Sequence, residues 1–280
     1  MGKRFFLIVT MGIFGILSNA QTLKIATYNL RNDNLGDSLN KWVDRCPMIS
    51  DLISFYDFDI FGTQEGLINQ LTDLKTKLPD YDYIGVGRDD GAKEGEHSAI
   101  FYQVKRFKLL DKGDFWLSAV SDKPNKGWDA DCKRICSWGK FEDLRSHKVF
   151  YFFNVHFDHR GKQARVESVK LMKEKIGSIA GKNPVILTGD FNFNENNENY
   201  NQMQADGKLK DAYLSSPVRF APQASTNGFN VNSKQKGRID HIFLTSDFQV
   251  KRYAILSHIY NGKFPSDHFP VCIETEFVIK

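Results

Sequence analysis

Ile186-Leu187-Thr188-Gly189-Asp190-Phe191-Asn192 is the stretch that decides how this 280-residue chain is read. An apolar run ends in glycine, which relaxes the backbone. A carboxylate and an amide then emerge two residues apart, on one face of a strand. A carboxylate so placed can hold or activate water. An amide can donate to a developing phosphorane oxygen. Taken alone, a strand-ending turn explains the heptapeptide, so its meaning depends on other stretches built the same way.

Such stretches recur along the chain. Ser266-Asp267-His268-Phe269-Pro270-Val271 places an acid and a histidine before an apolar run. Asp267 can bind a cation, and His268 can take a proton or hold a phosphate oxygen. A turn satisfied by Ser and Asp side chains is the plain alternative. In Arg238-Ile239-Asp240-His241, an aspartate enters an apolar strand, which is costly unless it is paired. An imidazolium partner resolves that cost, as in acid–histidine dyads on other folds. Alternation in Asn154-Val155-His156-Phe157-Asp158 puts Asn154, His156 and Asp158 on one face. Asn29 ends the run Ile25–Tyr28, and Glu65 follows Ile60–Gln64. Carboxylates, amides and histidines without a clustered cysteine set suggest a hard divalent cation and phosphate-ester hydrolysis.

Strand-like runs cover Leu23–Tyr28, Asp59–Thr63, Ser98–Tyr102, Val149–Phe157, Val185–Thr188, Ile239–Leu244 and Val271–Phe277. Several are apolar at successive positions, as in strands covered on both faces. Helical spacing joins Trp42, Cys46, Ile49 and Ile53, then Leu67, Leu71, Leu74 and Leu78. A third helix carries Val166, Val169, Met172, Ile176 and Ile179 and is broken by Asn183-Pro184. A late hairpin-like pair is expected near 239–256, a turn-rich loop over Asn192–Asn201, and a long polar surface insertion over Asp111–Arg134. The pattern indicates an α/β or α+β sandwich in a single domain over residues 21–280.

Met1-Gly2-Lys3-Arg4, the apolar run Phe5–Leu17 and Ser18-Asn19-Ala20 read as a secretory signal cleaved after Ala20. The alternative, a membrane anchor, is disfavoured because a span needs roughly 20 apolar residues. Export to the periplasm or beyond is therefore expected. Loss of Lys3 and Arg4 lowers the formal charge from +4 to +2, too little for a strong bulk field toward nucleic acid or anionic lipid. The cysteines Cys46, Cys132, Cys136 and Cys272 are read as inert thiols or one disulfide, with Cys132 and Cys136 close enough in sequence to pair. Zinc would need further ligands at suitable spacing, and none is obvious.

Together the Tyr28-Asn29 strand end, Gln64-Glu65, Asn154-x-His156, Gly189-Asp190-Phe191-Asn192, Arg238-x-Asp240-His241 and Ser266-Asp267-His268-Phe269-Pro270 closely resemble the endonuclease/exonuclease/phosphatase superfamily. Arg134-Ile135-Cys136-Ser137-Trp138 and Asn154–Gly161 look most like secreted bacterial members related to the nocturnin and deadenylase branch. The resemblance implies a four-layer α/β/β/α sandwich and hydrolysis dependent on Mg²⁺ or Mn²⁺. By the same resemblance Asn29 and Glu65 hold the metal, with Asp267 adding metal or water contact. Asp190 orients the attacking water and Asn192 stabilises the transition state. His156 grips the phosphate, and His268, oriented by Asp240, is the acid/base or phosphate binder. His97, Arg134 and Asp158 are candidates for substrate binding, Arg134 through its guanidinium fork unless it pairs with Asp131. His97 has an exposed loop position as its alternative. The family's acid two residues after the first Asn is Arg31 here, and Asn32 or Asp33 is the candidate replacement.

The expected activity is a phosphodiesterase or nuclease type acting as a monomer on nucleic acid or nucleotide. The alternative is a sphingomyelinase-like or inositol-phosphate enzyme acting on a phospholipid headgroup. Trp116 and Trp128 are candidates to stack a base or sugar. A non-catalytic binding protein ranks lower because the key acids and histidines are present. A glycosidase working with two acids leaves the histidines unexplained.

Overall fold

A computed structural model describes residues 22–37, 39–221 and 224–278. The signal-like segment Met1–Ala20 lies outside the described residues. Among those described, no helix is long and apolar enough to cross a membrane.

In chain order the strands are β1 (Leu23–Asn29), β2 (Ile60–Gln64), β3 (Tyr81–Ile84), β4 (Ile100–Gln103), β5 (Phe107–Trp116), β6 (Ile135–Asp143) and β7 (Lys148–His156). They continue with β8 (Val185–Asp190), β9 (Lys210–Asp211), β10 (Val218–Phe220), β11 (Asp240–Leu244), β12 (Phe248–Ile255) and β13 (Val271–Phe277). The helices are α1 (Trp42–Tyr56), α2 (Ile68–Lys77), α3 (Lys162–Ala180), α4 (Glu198–Gln204) and α5 (Ala212–Ser215). One mixed sheet runs β10-β12-β13-β1-β2-β4-β3, and the other runs β5-β6-β7-β8-β11-β9.

Period-2 alternation sorts the side chains into three apolar layers. Ile25, Ile60, Ile100, Phe141, Phe152, Ile186, Ile242 and Ile273 meet between the sheets. Ala26, Tyr28, Phe61 and Phe101 face outward onto Trp42, Cys46, Ile49 and Ile53 of α1 and onto Leu71 and Leu74 of α2. Phe153, Val155, Leu187 and Phe243 face Val169, Met172 and Ile176 of α3 and Tyr200 of α4. The result is the expected α/β/β/α sandwich, with each sheet covered on both faces.

Parallel pairing of β1 with β2 and of β7 with β8 brings their C-terminal ends to one rim. β11 runs antiparallel to β8, so Asp240 at its start lies opposite Asp190 at the end of β8. Just below this rim Asn154 ties the sheets together. Its amide donates to Thr63 O (2.8 Å) and Ala99 O (2.9 Å) and accepts from Gln64 (2.7 Å) and Thr188 (2.9 Å). A side chain at Gly62 would put Cβ 2.2 Å from Asn154 Oδ1, so the close approach requires glycine there.

Several local expectations change. The pair near 239–256 is not a hairpin: β11 bonds to β8 and β9, whereas β12 bonds to β13 and β10 in the opposite sheet. Thr245 turns the chain between sheets, its hydroxyl accepting from Val185 N (3.1 Å) and donating to Asp247 (3.0 Å). Strand periodicity alone carries no information about which sheet a strand joins. Asn192–Asn201 is not all loop, because Asn197 caps α4 by accepting from Asn199 N. Asp111–Trp116 belongs to β5 rather than to an insertion, and Trp116 is buried with its indole N–H on Arg88 O (2.8 Å). That ring is therefore closed to stacking, whereas Trp128 stays partly exposed. All four cysteines are free thiols.

Candidate active site

The rim gathers Asn29 from β1, Glu65 after β2, His156 from β7, Asp190 from β8, Asn192 two residues on, Asp240 from β11 and His268 before β13. Two of them sit on left-handed backbone, Glu65 at φ 63° and Asn192 at φ 50°. Such conformations are disfavoured for residues with a Cβ and persist where the surroundings hold them. At Glu65 the side chain is held by Asn29 Nδ2 (3.0 Å) and Asn32 N (3.1 Å). At Asn192 the backbone N–H donates to Asp190 Oδ1 (2.9 Å).

Asp190 is the centre of the cluster. Its Oδ2 accepts from Asn29 Nδ2 (3.0 Å) and lies 3.5 Å from His156 Nε2 and 3.8 Å from His268 Nε2. Burial, then the Asp240 carboxylate, pushes Asp190 up to about 7 against the pull of His268. His268 Nδ1 lies 3.0 Å from Asp240 Oδ2. Burial opposes a charge on His268, but Asp240, then Asp190 and Asp267, hold the imidazolium well above the ordinary histidine range. His156 is the opposite case: burial, then Arg134 and Arg88, push it well below that range, so its ring is neutral.

The neutral ring has a defined tautomer. Asn192 Nδ2 donates to Phe157 O (3.0 Å) and has its second hydrogen for His156 Nε2 (3.1 Å). Nε2 therefore accepts and Nδ1 carries the proton. Nδ1 faces Glu96 Oε2 at 3.9 Å. Glu96 also accepts from Asn32 Nδ2 (3.1 Å) and pairs with Arg88. Arg88, Glu96, His97, Arg134 and His156 line a cavity of about 10 Å³ beside the site.

The donor set fits a hard cation at the Glu65 end. His268, the Asn29 amide and the Asn32 N–H overcome burial to keep the Glu65 carboxylate below its usual range, hence ionised. Burial raises Asp267, which is eased by His268 and strained further by Glu65. Two carboxylates that repel across a rim of oxygen donors suit Mg²⁺, which needs one or two of them. Asn29 turns its amide nitrogen, not its oxygen, toward Glu65 and Asp190, while its Oδ1 accepts from Arg31 N (3.0 Å). Ligation through that oxygen would require the amide to turn over. Asp190, Asp240 and His268 also offer ligand atoms within 4.8 Å of one another. There the His268–Asp240 hydrogen bond already occupies two of the three groups, so a relay is the simpler description.

The remaining expected residues divide. Asp158 is not free for substrate: it lies past β7 and accepts from the backbone of Asp131, Cys132, Arg160 and Gly161. Arg134 pairs with Asp158 (3.4 Å) and His159 (3.0 Å), while Asp131 pairs with His159 and Arg160. Its Nη1 remains buried without a hydrogen-bond partner beside the cavity. His97 is buried rather than in an exposed loop, and Gly66 O lies 3.1 Å from its Nδ1. Arg31 departs from the acid pattern by pairing with Asp37 (2.7 and 2.9 Å). Asn32, not the exposed Asp33, reaches the site, through Glu65 and Glu96. Glu96 and Arg88 escaped the sequence reading because Asp89–Glu96 resembles a solvated charged turn. Only the adjacent His97 marked the place.

A model of the endonuclease/exonuclease/phosphatase family matches residues 26–268. A protein of that family from Bacteroides thetaiotaomicron is 47% identical, with a TM-score of 0.90, covering 93% of this chain and 99% of its own. The mannosyl-6-phosphatase of Bacteroides thetaiotaomicron VPI-5482 is 48% identical, with a TM-score of 0.87, covering 91% and 100%. The human nocturnin catalytic domain shares the fold at 20% identity and a TM-score of 0.71, covering 92% and 94%.

Proposed function

The chain belongs to the endonuclease/exonuclease/phosphatase family, and on that premise we propose that it is a divalent-metal-dependent phosphatase of small sugar phosphates. Members of the family are hydrolases of phosphate esters. The observation that carries the reading is the rim itself: Asp190 between two histidines of opposite charge state, with ionised Glu65 on the same side. The sugar-phosphate substrate is supported by the 48% identity to a mannosyl-6-phosphatase along that protein's whole length. It is also supported by the near-neutral charge expected for the mature chain, which disfavours a polyanion.

In this reading Glu65 and Asp267 would hold Mg²⁺ or Mn²⁺, joined by Asn29 Oδ1 once its amide turns over. The bound cation supplies charge neutralisation for the phosphoryl oxygens. Asp190 holds the attacking water and takes its proton, as a carboxyl near 7 can. His268 donates to the phosphoryl oxygens as negative charge develops, and Asn192 joins it by releasing one of its amide bonds to His156 and Phe157. Asp240 keeps His268 protonated, and His156 orients Asn192 by accepting from its amide at Nε2. We also infer export, because the positive n-region, apolar stretch and small-residue box precede the family domain. A purified native protein that still begins at Met1 would overturn the export inference.

The test is a substrate panel with Mg²⁺: mannose 6-phosphate, glucose 6-phosphate, DNA, RNA, nucleotides, sphingomyelin and phosphoinositides. Phosphate release that is fastest from a hexose phosphate supports the reading. Preferred cleavage of nucleic acid would restore the nuclease reading, and preferred release from a phospholipid the sphingomyelinase-like one. No turnover of any member would favour a binding protein on the same fold.

A further inference from the structure

Arg45 of α1 is a cation buried to 1% exposure. Among the described residues it has no carboxylate at ion-pair distance. Its guanidinium is held by carbonyls: Leu30 (2.5 Å), Arg31 (2.9 Å), Asn32 (3.4 Å), Asn40 (2.8 Å) and Pro265 (3.0 Å). Trp42 and Phe229 lie 5.4 and 5.7 Å from the guanidinium carbon. Three consecutive carbonyls converge on one group because Arg31 adopts φ 53°. That conformation is uncommon for a residue with a Cβ, and the Arg31–Asp37 pair fastens it from the other side.

The carbonyls belong to the two loops that complete the site. Leu30–Asn32 follows Asn29 and delivers the Asn32 N–H to Glu65. Pro265 precedes Ser266, Asp267 and His268, and the Ser266 hydroxyl reaches back to Asn29 O (2.7 Å). One guanidinium therefore spans both sides of the cation end. A planar fork with five donors can do this, whereas the single ammonium of lysine cannot.

We propose that Arg45 is a positioning residue. It sets the separation between the Asn29–Glu65 side and the Asp267–His268 side, and so the fit of the divalent cation. The inference rests on the reading of Glu65 and Asp267 as the cation-holding end. It concerns geometry held through backbone carbonyls, not contact with substrate.

The test compares wild type with Arg45→Lys and Arg45→Met. Measured are Mn²⁺ affinity by calorimetry without substrate, kcat and KM on a hexose 6-phosphate, and amide hydrogen exchange. Arg45→Lys should weaken Mn²⁺ binding and lower kcat by about 10- to 100-fold, the range for groups that orient metal ligands. KM should change little, and exchange should quicken in residues 30–33 and 266–268 together. Unchanged Mn²⁺ affinity in folded Arg45→Lys would overturn the proposal. So would exchange that quickens uniformly, the mark of a merely structural role. If neither variant folds, wild-type exchange decides: Asn32 and His268 amides should open as one unit with the same urea dependence. Independent opening contradicts the proposal. A wild type that binds Mn²⁺ but hydrolyses no phosphate ester sinks the functional reading while leaving the Arg45 test intact.

Discussion

His268 Nδ1 lies 3.0 Å from Asp240 Oδ2, which joins the loop before β13 in one sheet to the first residue of β11 in the other. The carboxylate fixes the ring's orientation and keeps its charge, so that Nε2 is presented toward Asp190. Asp240→Asn keeps the shape of the side chain and removes the charge. It should lower kcat by about 10²–10⁴-fold with KM little changed. Steady-state kinetics on the best panel substrate check this. A decrease below tenfold in a folded variant would remove Asp240 from the catalytic group.

Chelation should abolish turnover, and Mg²⁺ or Mn²⁺ should restore it. Glu65→Gln keeps one of the two hydrogen bonds that the carboxylate oxygens accept from Asn29 Nδ2 and Asn32 N, and loses the charge. The Mg²⁺ concentration for half-maximal rate should rise by at least about tenfold. A metal titration of both proteins decides, and full activity after exhaustive chelation would contradict the cation's role.

Asp158 predicts an acid limb of stability. Burial opposes its charge, but the backbone N–H groups of Gly161, Asp131, Cys132 and Arg160 hold its carboxyl well below the usual range. A folded-state value below the unfolded one contributes stability that is present above about pH 4 and lost as pH falls below it. Asp158→Asn should cost about 1.5–3 kcal/mol at pH 7 and flatten the fall of Tm between pH 5 and pH 3. Equal acid slopes for the two proteins in thermal melts would contradict this.

Asn154 should matter for folding rather than chemistry. Asn154→Ala removes the side-chain donor to Thr63 O, leaves Ala99 O to Thr63 alone and leaves the Gln64 amide one partner short, at a cost of at least about 2 kcal/mol. Gly62→Ala intrudes on the same amide and should cost about 1–3 kcal/mol. Urea titration measures both. Stabilities equal to wild type would contradict the inter-sheet bridge.

Some of the site was legible because short polar pairs ended apolar runs. Asp190, Asn192, Asp240, His156 and His268 were recognisable in that way, and the structure brings them to one rim. Asp158 misled because alternation was extended past the end of β7 at His156. Beyond a strand the period of two no longer applies, and the carboxylate turns back onto its own loop. Arg45 sat in an amphipathic helix pattern, where an arginine ordinarily faces water. Only folded carbonyls could reveal it as buried.

The order of residues along the chain thus determined the strands, the apolar faces and the chemistry of the groups at their ends. Those properties depend on neighbours a few residues away. The tertiary structure alone decided which sheet each strand joined, which histidine is charged and which neutral, and that Arg45 holds two distant loops. Charge state and burial depend on groups brought together from far apart in sequence. Asn29 meets Asp190, and Arg45 meets Pro265, only after the two sheets have packed.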